Sequence, residues 1–330
     1  MRPRYATLSF LALVAGCGRY ADFTLPPLTG GSAPRTFEFL AEPQPVLARG
    51  DGWESRDALN PSVIRTASGL LNLYSGFDGR SWQTGLASST DGLHWDHRTR
   101  ILSPDPHTWE GNYIAANGAA AMHAGQIRYW YVAGPMEHPS IGLARSNDGR
   151  EWHKESQPVV TPGPYQSWDE YGVADPYIVR IDPYFYLYYL GQDRAHRQRL
   201  GVARSTDGIH FQKLRANPIL EIGANGAFDD DALGEPAVFA DRGFYWMLYT
   251  GRDVSHIRRL GLARSTDGVH FTKLSVVFAG TESWNSKVLC DPTVLVENGI
   301  IRVWFGGGNA PQDAENLNGQ IGYGTLKPIL

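Results

Sequence analysis

The chain repeats itself. An aromatic residue, a polar residue seven positions later (eight in the second copy) and then Pro or Gly occur five times. The copies are Trp53…Asn60-Pro61, Trp109…Asn117-Gly118, Trp168…Asp175-Pro176, Phe228…Glu235-Pro236 and Trp284…Asp291-Pro292. Their polar residues follow one another at steps of 57, 58, 60 and 56 residues. Spacing of that length marks a supersecondary unit, so the fold must be one that stacks similar units.

Each unit continues alike. An apolar run follows the Pro, as in Tyr177-Ile-Val-Arg180, then a turn, then an aromatic run such as Tyr184-Phe-Tyr-Leu-Tyr-Tyr189. A third run, Leu200–Arg204 or Leu260–Arg264, leads to Ser-Thr-Asp-Gly, where Asp bonds the turn backbone and Gly tolerates positive φ. A fourth run, such as His210–Lys213, leads to the next aromatic. Four short strands per unit, repeated about an axis, predict an all-β protein, a five-bladed β-propeller. The last copy stops after three strands. Gln44-Pro-Val-Leu47 matches Asn217-Pro-Ile-Leu220 and Gln157-Pro-Val-Val160, so an N-terminal strand is expected to pair near Ile321–Gly324 and close the last blade.

Residues 1–17 are read as a lipoprotein signal peptide. Arg2 and Arg4 precede the apolar stretch Leu8–Val14, and Val14-Ala-Gly-Cys17 resembles the bacterial lipoprotein box, with Cys17 the lipidated residue. The expected location is an exported lipoprotein of the outer membrane or cell surface, held to the membrane by that lipid alone. No later run approaches the ~20 apolar residues of a spanning helix. Residues 18–37, rich in Pro, Gly, Ser and Thr, read as a flexible tether, and 38–330 as one propeller domain. A net charge of −4 carries no basic footprint for nucleic acid. Cys290 is the one cysteine left after Cys17, so no internal disulfide forms, and it reads as a small buried hydrophobe. A monomer is expected.

Topology divides the residues between two faces. The Asn/Asp/Glu-Pro residues begin the innermost strands, and the loops after the second strands return to the same face. The Asp-Gly turns at Asp91, Asp148, Asp207 and Asp267 fall on the other face and read as structural. Asp175, Glu235 and Asp291 then converge on the axis, where like charges raise one another's pKa. The upper loops offer Asp193, His196, Arg252, Asp253, His256 and Lys287 as substrate contacts, and Trp82, outside the repeat pattern, as a sugar-stacking ring. Arg194, Arg197, Arg199, Arg258 and Arg259 are divided between solvated charge and ligand contact. The recurring Trp residues are assigned to packing between blades.

These axial acids and the Ser-x-Asp-Gly-x-x-Trp/Phe turns resemble the five-bladed propeller glycosidases: glycoside hydrolase families 43, 32 and 68, and the family 130 mannoside phosphorylases. The resemblance covers about residues 38–330 and implies a carbohydrate substrate. The family 43 pattern has a base Asp on blade one, a pKa-modulating Asp on blade three and an acid Glu on blade four. Asp175 matches the modulator, and Glu235 the acid, although Pro follows Glu235 directly. Asn60 stands where the base is expected, which leaves Asp291 or Asp57 to supply the carboxylate. The chemistry needs one protonated carboxyl and one ionised carboxylate. The resulting assignment is a glycoside hydrolase with Glu235 as acid, Asp291 as base, Asp175 as orienter and Asn60 on a sugar hydroxyl. The family 32 signatures are absent. Family 130 has Asn-Pro in its first blade, as here, and an acid Asp in Glu-Asp-Pro-Arg, where this chain reads Ala174-Asp-Pro-Tyr177. The alternatives are a mannoside-phosphorylase-like enzyme, with Arg252, His256 and Lys287 for phosphate, and an inactive glycan-binding lipoprotein. No His/Cys spacing suggests a metal site and no cofactor is implied. Some propeller glycosidases hold an axial ion, so calcium is compatible with the resemblance without being required. If Cys17 carries the lipid, Cys17→Ala abolishes labelling by a radioactive fatty acid and releases the protein from the membrane fraction.

Overall fold

The computed structural model describes residues 18–30 and 34–329. Residues 1–17, read above as a signal peptide ending at Cys17, lie outside that range. Among the described residues the chain is all-β, with two single-turn helices. Strands β1 (Tyr20–Ala21) and β2 (Thr36–Ala41) precede the repeats. The first unit is β3 (Asp57–Thr66), β4 (Gly69–Phe77), β5 (Trp82–Ser89) and β6 (Asp96–Leu102). The second is β7 (Ile114–His123), β8 (Gln126–Ala133), β9 (Ser140–Ser146) and β10 (His153–Lys154). The third is β11 (Gly172–Ile181), β12 (Tyr184–Gln192), β13 (Gln198–Ser205) and β14 (Gln212–Leu214). The fourth is β15 (Ala232–Asp241), β16 (Phe244–Arg252), β17 (Arg258–Ser265) and β18 (Thr272–Phe278). The fifth has β19 (Val288–Glu297), β20 (Ile300–Gly308) and β21 (Gln320–Ile329). Each unit is an antiparallel meander, and the first strands pack in succession, β3 on β7, β7 on β11, β11 on β15, β15 on β19 and β19 on β3.

The fourth strand of the last unit does come from the N-terminus, but from further upstream than the motif suggests. It is β2, antiparallel to β21 from Thr36↔Ile329 to Ala41↔Gly324. The Pro-Val-Leu47 stretch makes only a bridge, Leu47↔Ile321, as Val160 does with Ile141 and Leu220 with Leu200. The repeated Pro leaves one N–H out of the ladder, which suits a bridge better than a strand interior.

Residues 18–30 are not a free tether. Tyr20–Ala21 adds a parallel edge to β14. Leu25 is buried, and its N–H donates to the Asp267 carbonyl at 2.8 Å. The Tyr245 hydroxyl donates to the Pro26 carbonyl. The segment carries enough apolar and backbone contact to dock across the third and fourth units.

The Asp-Gly turns are structural, as expected. Asp91 Oδ1 accepts the N–H of Leu93 and His94, and the same pattern recurs at Asp207 and Asp267. The adjoining glycines also let neighbouring units approach. Trp304 Nε1 donates to the Gly92 carbonyl at 2.7 Å, and Trp130 to Gly208 at 2.9 Å. A Cβ at Gly92 would lie 2.6 Å from the Trp304 ring. The recurring aromatics pack otherwise than expected. Trp53 lies on Gly76 and Gly85 of its own unit, and Trp168 on Gly191 and Gly201. A hypothetical Cβ at these glycines would sit 2.2–2.5 Å from the rings, so the aromatic fills its own unit rather than the gap to the next.

The residue after each aromatic begins a buried polar cluster. Glu54 meets Tyr74 and Arg98, Glu110 meets Tyr131 and Lys154, Asp169 meets Tyr189 and Lys213, and Asp229 meets Tyr249 and Lys273. All four carboxylates are buried. The fifth unit is neutral here: Asn285 replaces the acid, and Phe305 packs on Phe39 with centroids 5.7 Å apart. A buried carboxylate that loses its cation keeps the desolvation cost without the attraction. Lys213→Met is therefore expected to cost about 3–5 kcal/mol in urea unfolding, and Lys213→Met with Asp169→Asn to recover most of it.

Candidate active site

The five repeated polar residues share one unusual backbone conformation. Asn60, Asn117, Asp175, Glu235 and Asp291 have φ of 50°, 48°, 48°, 45° and 51°. Each sits at a register shift of its inner strand: between Leu59 and Ser62, Ala116 and Ala119, Ala174 and Tyr177, Gly234 and Ala237, Cys290 and Thr293. This is a bulge with its first residue left-handed, which breaks the strand alternation and re-aims the side chain. The Pro or Gly that follows suits the unpaired position. Asn and Asp tolerate the left-handed region best, whereas Glu235 enters it against its preference.

The ring is cross-linked by hydrogen bonds. Asn60 Nδ2 donates to Asp291 Oδ1 at 2.5 Å, and Asn117 Nδ2 to Asp175 Oδ1 at 2.6 Å. The second oxygens are also engaged. Asp175 Oδ2 accepts the Glu235 N–H at 3.2 Å, and Asp291 Oδ2 accepts the Cys290 thiol at 2.9 Å. Glu235 differs, because its Oε2 is buried without a hydrogen-bond partner. Burial raises the pKa of all three carboxyls, and repulsion from Glu235 adds to it at Asp175 and Asp291. Thr250, Arg258 and Arg252 oppose the rise at Glu235. Burial and Asp291 hold the Cys290 thiol well above its usual value, which bears out its reading as an inert buried group.

The ring floors a cavity of about 230 Å³. Its walls include Trp82, Tyr113, Gln192, Gln198, Arg252 and Arg258. Residues 309–319 overhang it. Tyr113 Oη donates to Glu315 Oε2 at 2.5 Å, while Arg258 donates to the carbonyls of Gln312, at 2.8 Å, and Asp313. Arg252 pairs with Asp231 at 2.7 Å.

Several expected contacts lie elsewhere. Asp57 is fully buried and accepts the N–H of Asn316 and Gly319, both at 2.7 Å, so it anchors the overhanging loop and offers no spare carboxylate. Asp193 is buried against Arg197 and Arg199, and Asp253 accepts the N–H of Ser255 and Ile257; both brace their own loops. His196 bonds Gln192, His256 Nδ1 lies 2.6 Å from Asp313 Oδ1, and Lys287 is exposed; none of the three lines the cavity. Trp82 does line it, but is buried and stacked on Phe77, so it presents an edge of wall rather than an open platform. Asn60 lines the cavity and spends one amide proton on Asp291. Sequence reasoning left Arg258 undecided. Gln198 and Arg258 occupy matching positions in successive units and both face the cavity, and that repeat position was the available signal. Among the described residues no group of three His, Cys, Asp or Glu side chains is placed to hold a metal ion. The amide donors occupy carboxylate oxygens that an axial calcium would need, so the ring does not fit that ion.

The family whose model matches residues 122–199 is described as beta-1,4-mannooligosaccharide phosphorylase. That span contains Asp175 and none of the other four axial residues. The uncharacterized protein Rv1502 of Mycobacterium tuberculosis is 30% identical over 230 residues, 64% of this chain and 75% of that protein. A 1,2-beta-oligomannan phosphorylase of Thermoanaerobacter sp. is 24% identical over 160 residues, 47% of this chain and 50% of its own. A solved structure, titled as showing that the family 130 mannoside phosphorylases contain glycoside hydrolases targeting β-1,2 mannosidic linkages in Candida mannan, superposes with a TM-score of 0.65. It is 19% identical and covers 93% of this chain and 97% of its own. The chain belongs to one family with that mycobacterial protein, and its fold is that of the propeller glycosidases. The solved relatives of glycoside hydrolase families 130 and 117 act on glycosidic bonds.

The carboxyl cluster sets a pH dependence. Unfolded carboxyls ionise near pH 4, whereas the folded trio of Asp175, Glu235 and Asp291 still holds a proton well above that, because burial and mutual repulsion penalise its full ionisation. The folded state therefore binds more protons in the window between, and stability falls as pH rises through it. Asp291→Asn keeps an acceptor for Asn60 and removes the charge. Its melting temperature should exceed that of the wild type at pH 8 and match it near pH 4, read by calorimetry across that range.

Proposed function

We propose that the five units are the blades of one closed propeller, and that the axial cavity hydrolyses glycosidic bonds with Glu235 as proton donor. One observation carries the assignment: Asp175 and Asp291 each accept two hydrogen bonds, which suits ionised carboxylates, while Glu235 Oε2 makes none, with the Thr250 hydroxyl nearby but not bonded to it. Three carboxyls this close do not all ionise, and the shared proton belongs on the oxygen that accepts no hydrogen bond. Glu235 gives its proton to the leaving oxygen as the C–O bond breaks. Water attacks the anomeric carbon and passes its proton to Asp291. Asp175 orients the substrate and holds the Glu235 backbone.

Phosphorolysis is the second reading, favoured by the phosphorylase description of the matching family. In that case phosphate replaces water and the product is a sugar phosphate. The cavity is poorly disposed to a dianion. Arg258 is committed to two carbonyls, Arg252 to Asp231, and His256 and Lys287 lie outside. The substrate class suggested by the relatives is a mannoside, and the signal at Val14–Cys17 supports an exported, lipid-anchored enzyme acting on extracellular glycan.

Glu235→Gln preserves shape and removes the proton. It should lower turnover of the best substrate by ~10²–10⁴ and erase the basic limb of the pH–rate profile, with little change in stability. Wild-type turnover should not depend on added phosphate. Turnover that survives Glu235→Gln would remove Glu235 from the acid role. A wild type inert on aryl glycosides and polysaccharides, with and without phosphate, would leave the glycan-binding lipoprotein.

A further inference from the structure

We propose that the outer rim of the third unit is an accessory subsite for acidic sugar chains, in which Arg197 and Arg199 receive a uronate carboxylate and Tyr165 stacks on a neighbouring sugar ring. The proposal rests on the carbohydrate reading of the axial cavity and adds the chemical class of the chain. A second cavity, of about 350 Å³, opens beside the loop 193–197 and is lined by Gln166, Trp168, Arg194, Arg197 and Arg199 together with the acids Glu170 and Asp193.

The charges there do not balance locally. Arg197, through Nε at 2.8 Å and Nη2 at 2.7 Å, and Arg199, through Nη2 at 2.8 Å, crowd a single oxygen, Asp193 Oδ2, and Arg199 Nη2 also lies 3.4 Å from the Trp168 carbonyl. The other oxygen of Asp193 accepts the N–H of Ala195 and Arg197. Arg194 leans on Glu170 at 3.3 and 3.4 Å. Glu221 stands 3.5 Å from Arg199, with its side chain 62% exposed and largely solvated. Two guanidinium groups thus share one well-seated carboxylate. Arg199 is 8% exposed, and its Nε is buried without a partner. A bidentate carboxylate is the ligand that a guanidinium fork of this kind takes best.

Tyr165 supplies the second element. It is 71% exposed, with the Arg194 guanidinium 4.8 Å from its ring centroid, so one face is held and the other is open. The arrangement is not part of the blade architecture. In the fourth unit the matching positions carry Asn225, Val254 and Ile257 instead of Tyr165, Arg194 and Arg197. Gln192 and Gln198, at the foot of the same loop, line the axial cavity, so a chain leaving the cavity on this side passes over the rim.

The test is calorimetric and does not depend on turnover. Glu235→Gln protein is titrated with tetrasaccharides of galacturonate, glucuronate and mannuronate, and with the neutral tetrasaccharide obtained from each by carboxyl reduction. At least one acidic member should bind about tenfold or more tightly than its neutral counterpart, with the ratio falling as salt rises. Arg197→Gln and Tyr165→Ala should each reduce the affinity for the acidic member. Tyr165 is exposed, so its loss does not threaten the fold. Equal affinity within every pair, no binding of any acidic member, or an unchanged ratio in both variants would overturn the subsite. Failure of the hydrolase reading shows up separately, as a wild type that binds the acidic chain and cuts nothing.

Discussion

Each axial side chain reaches the cavity because one residue per unit is twisted into the left-handed region. A regular strand would send the side chains of neighbouring residues alternately into the two interfaces between blades, where apolar packing is needed. The bulge at Asn60, Asn117, Asp175, Glu235 and Asp291 breaks that alternation and points one polar residue inward per repeat. A non-glycine residue held in a sparsely populated backbone region costs of order 1–3 kcal/mol. Five of them together approach the whole net stability of an ordinary domain. They persist because the strands on either side are over-determined, and Glu235, the residue least suited to φ of 45°, is also the one whose carboxyl is left unpartnered.

What over-determines the strands is a second layer of charge, kept away from the site. Glu54, Glu110, Asp169 and Asp229 are each buried with a tyrosine hydroxyl and a cation. Because each cluster joins the loop before the first strand to the second and fourth strands, it locks the outer part of a blade in register. The axial carboxyls have no such arrangement. Their positive neighbours, Arg252 and Arg258, are turned toward Asp231 and the carbonyls of the overhanging loop. The same residue types therefore do opposite work at two radii: neutralised pairs hold the blades, and under-compensated acids on the axis keep a proton available.

The repeat was legible because it is written in residues whose roles are local. Ser-Thr-Asp-Gly closes its turn with its own side chains, so the turn can be read without knowing the neighbours. The axial residues were legible because the aromatic-to-Pro spacing repeats. The misreadings concern partners distant in sequence. Asp57 looks like a spare acid until Asn316 and Gly319 are seen to donate to it across more than 250 residues. Trp53 looks like inter-blade filler until Gly76 and Gly85 of its own unit are found beneath it. The closing strand was misplaced because the Pro-Val-Leu47 motif marks a bridge shared by three units, whereas β2 carries no repeated signature at all.

Arg258 shows how the two kinds of information combine. Alternation along β17 separates Arg258 from Arg259, one buried and one partly exposed, but sequence alone does not say which of them faces the axis. The sheet register fixes it, because Arg258 lies opposite Arg252 of β16 and Arg252 lies opposite Ala232 of β15, which puts the three on one face. The buried guanidinium then lies where its charge lowers the proton affinity of Asp175 and Glu235, while its N–H groups hold the carbonyls of Gln312 and Asp313 over the mouth. The electrostatics of the acid pair and the seating of the overhanging loop are consequently not independent. A group that displaces those carbonyls from Arg258 changes how much of its charge the carboxyls feel, so the shape of the mouth and the protonation of the floor are set by one side chain.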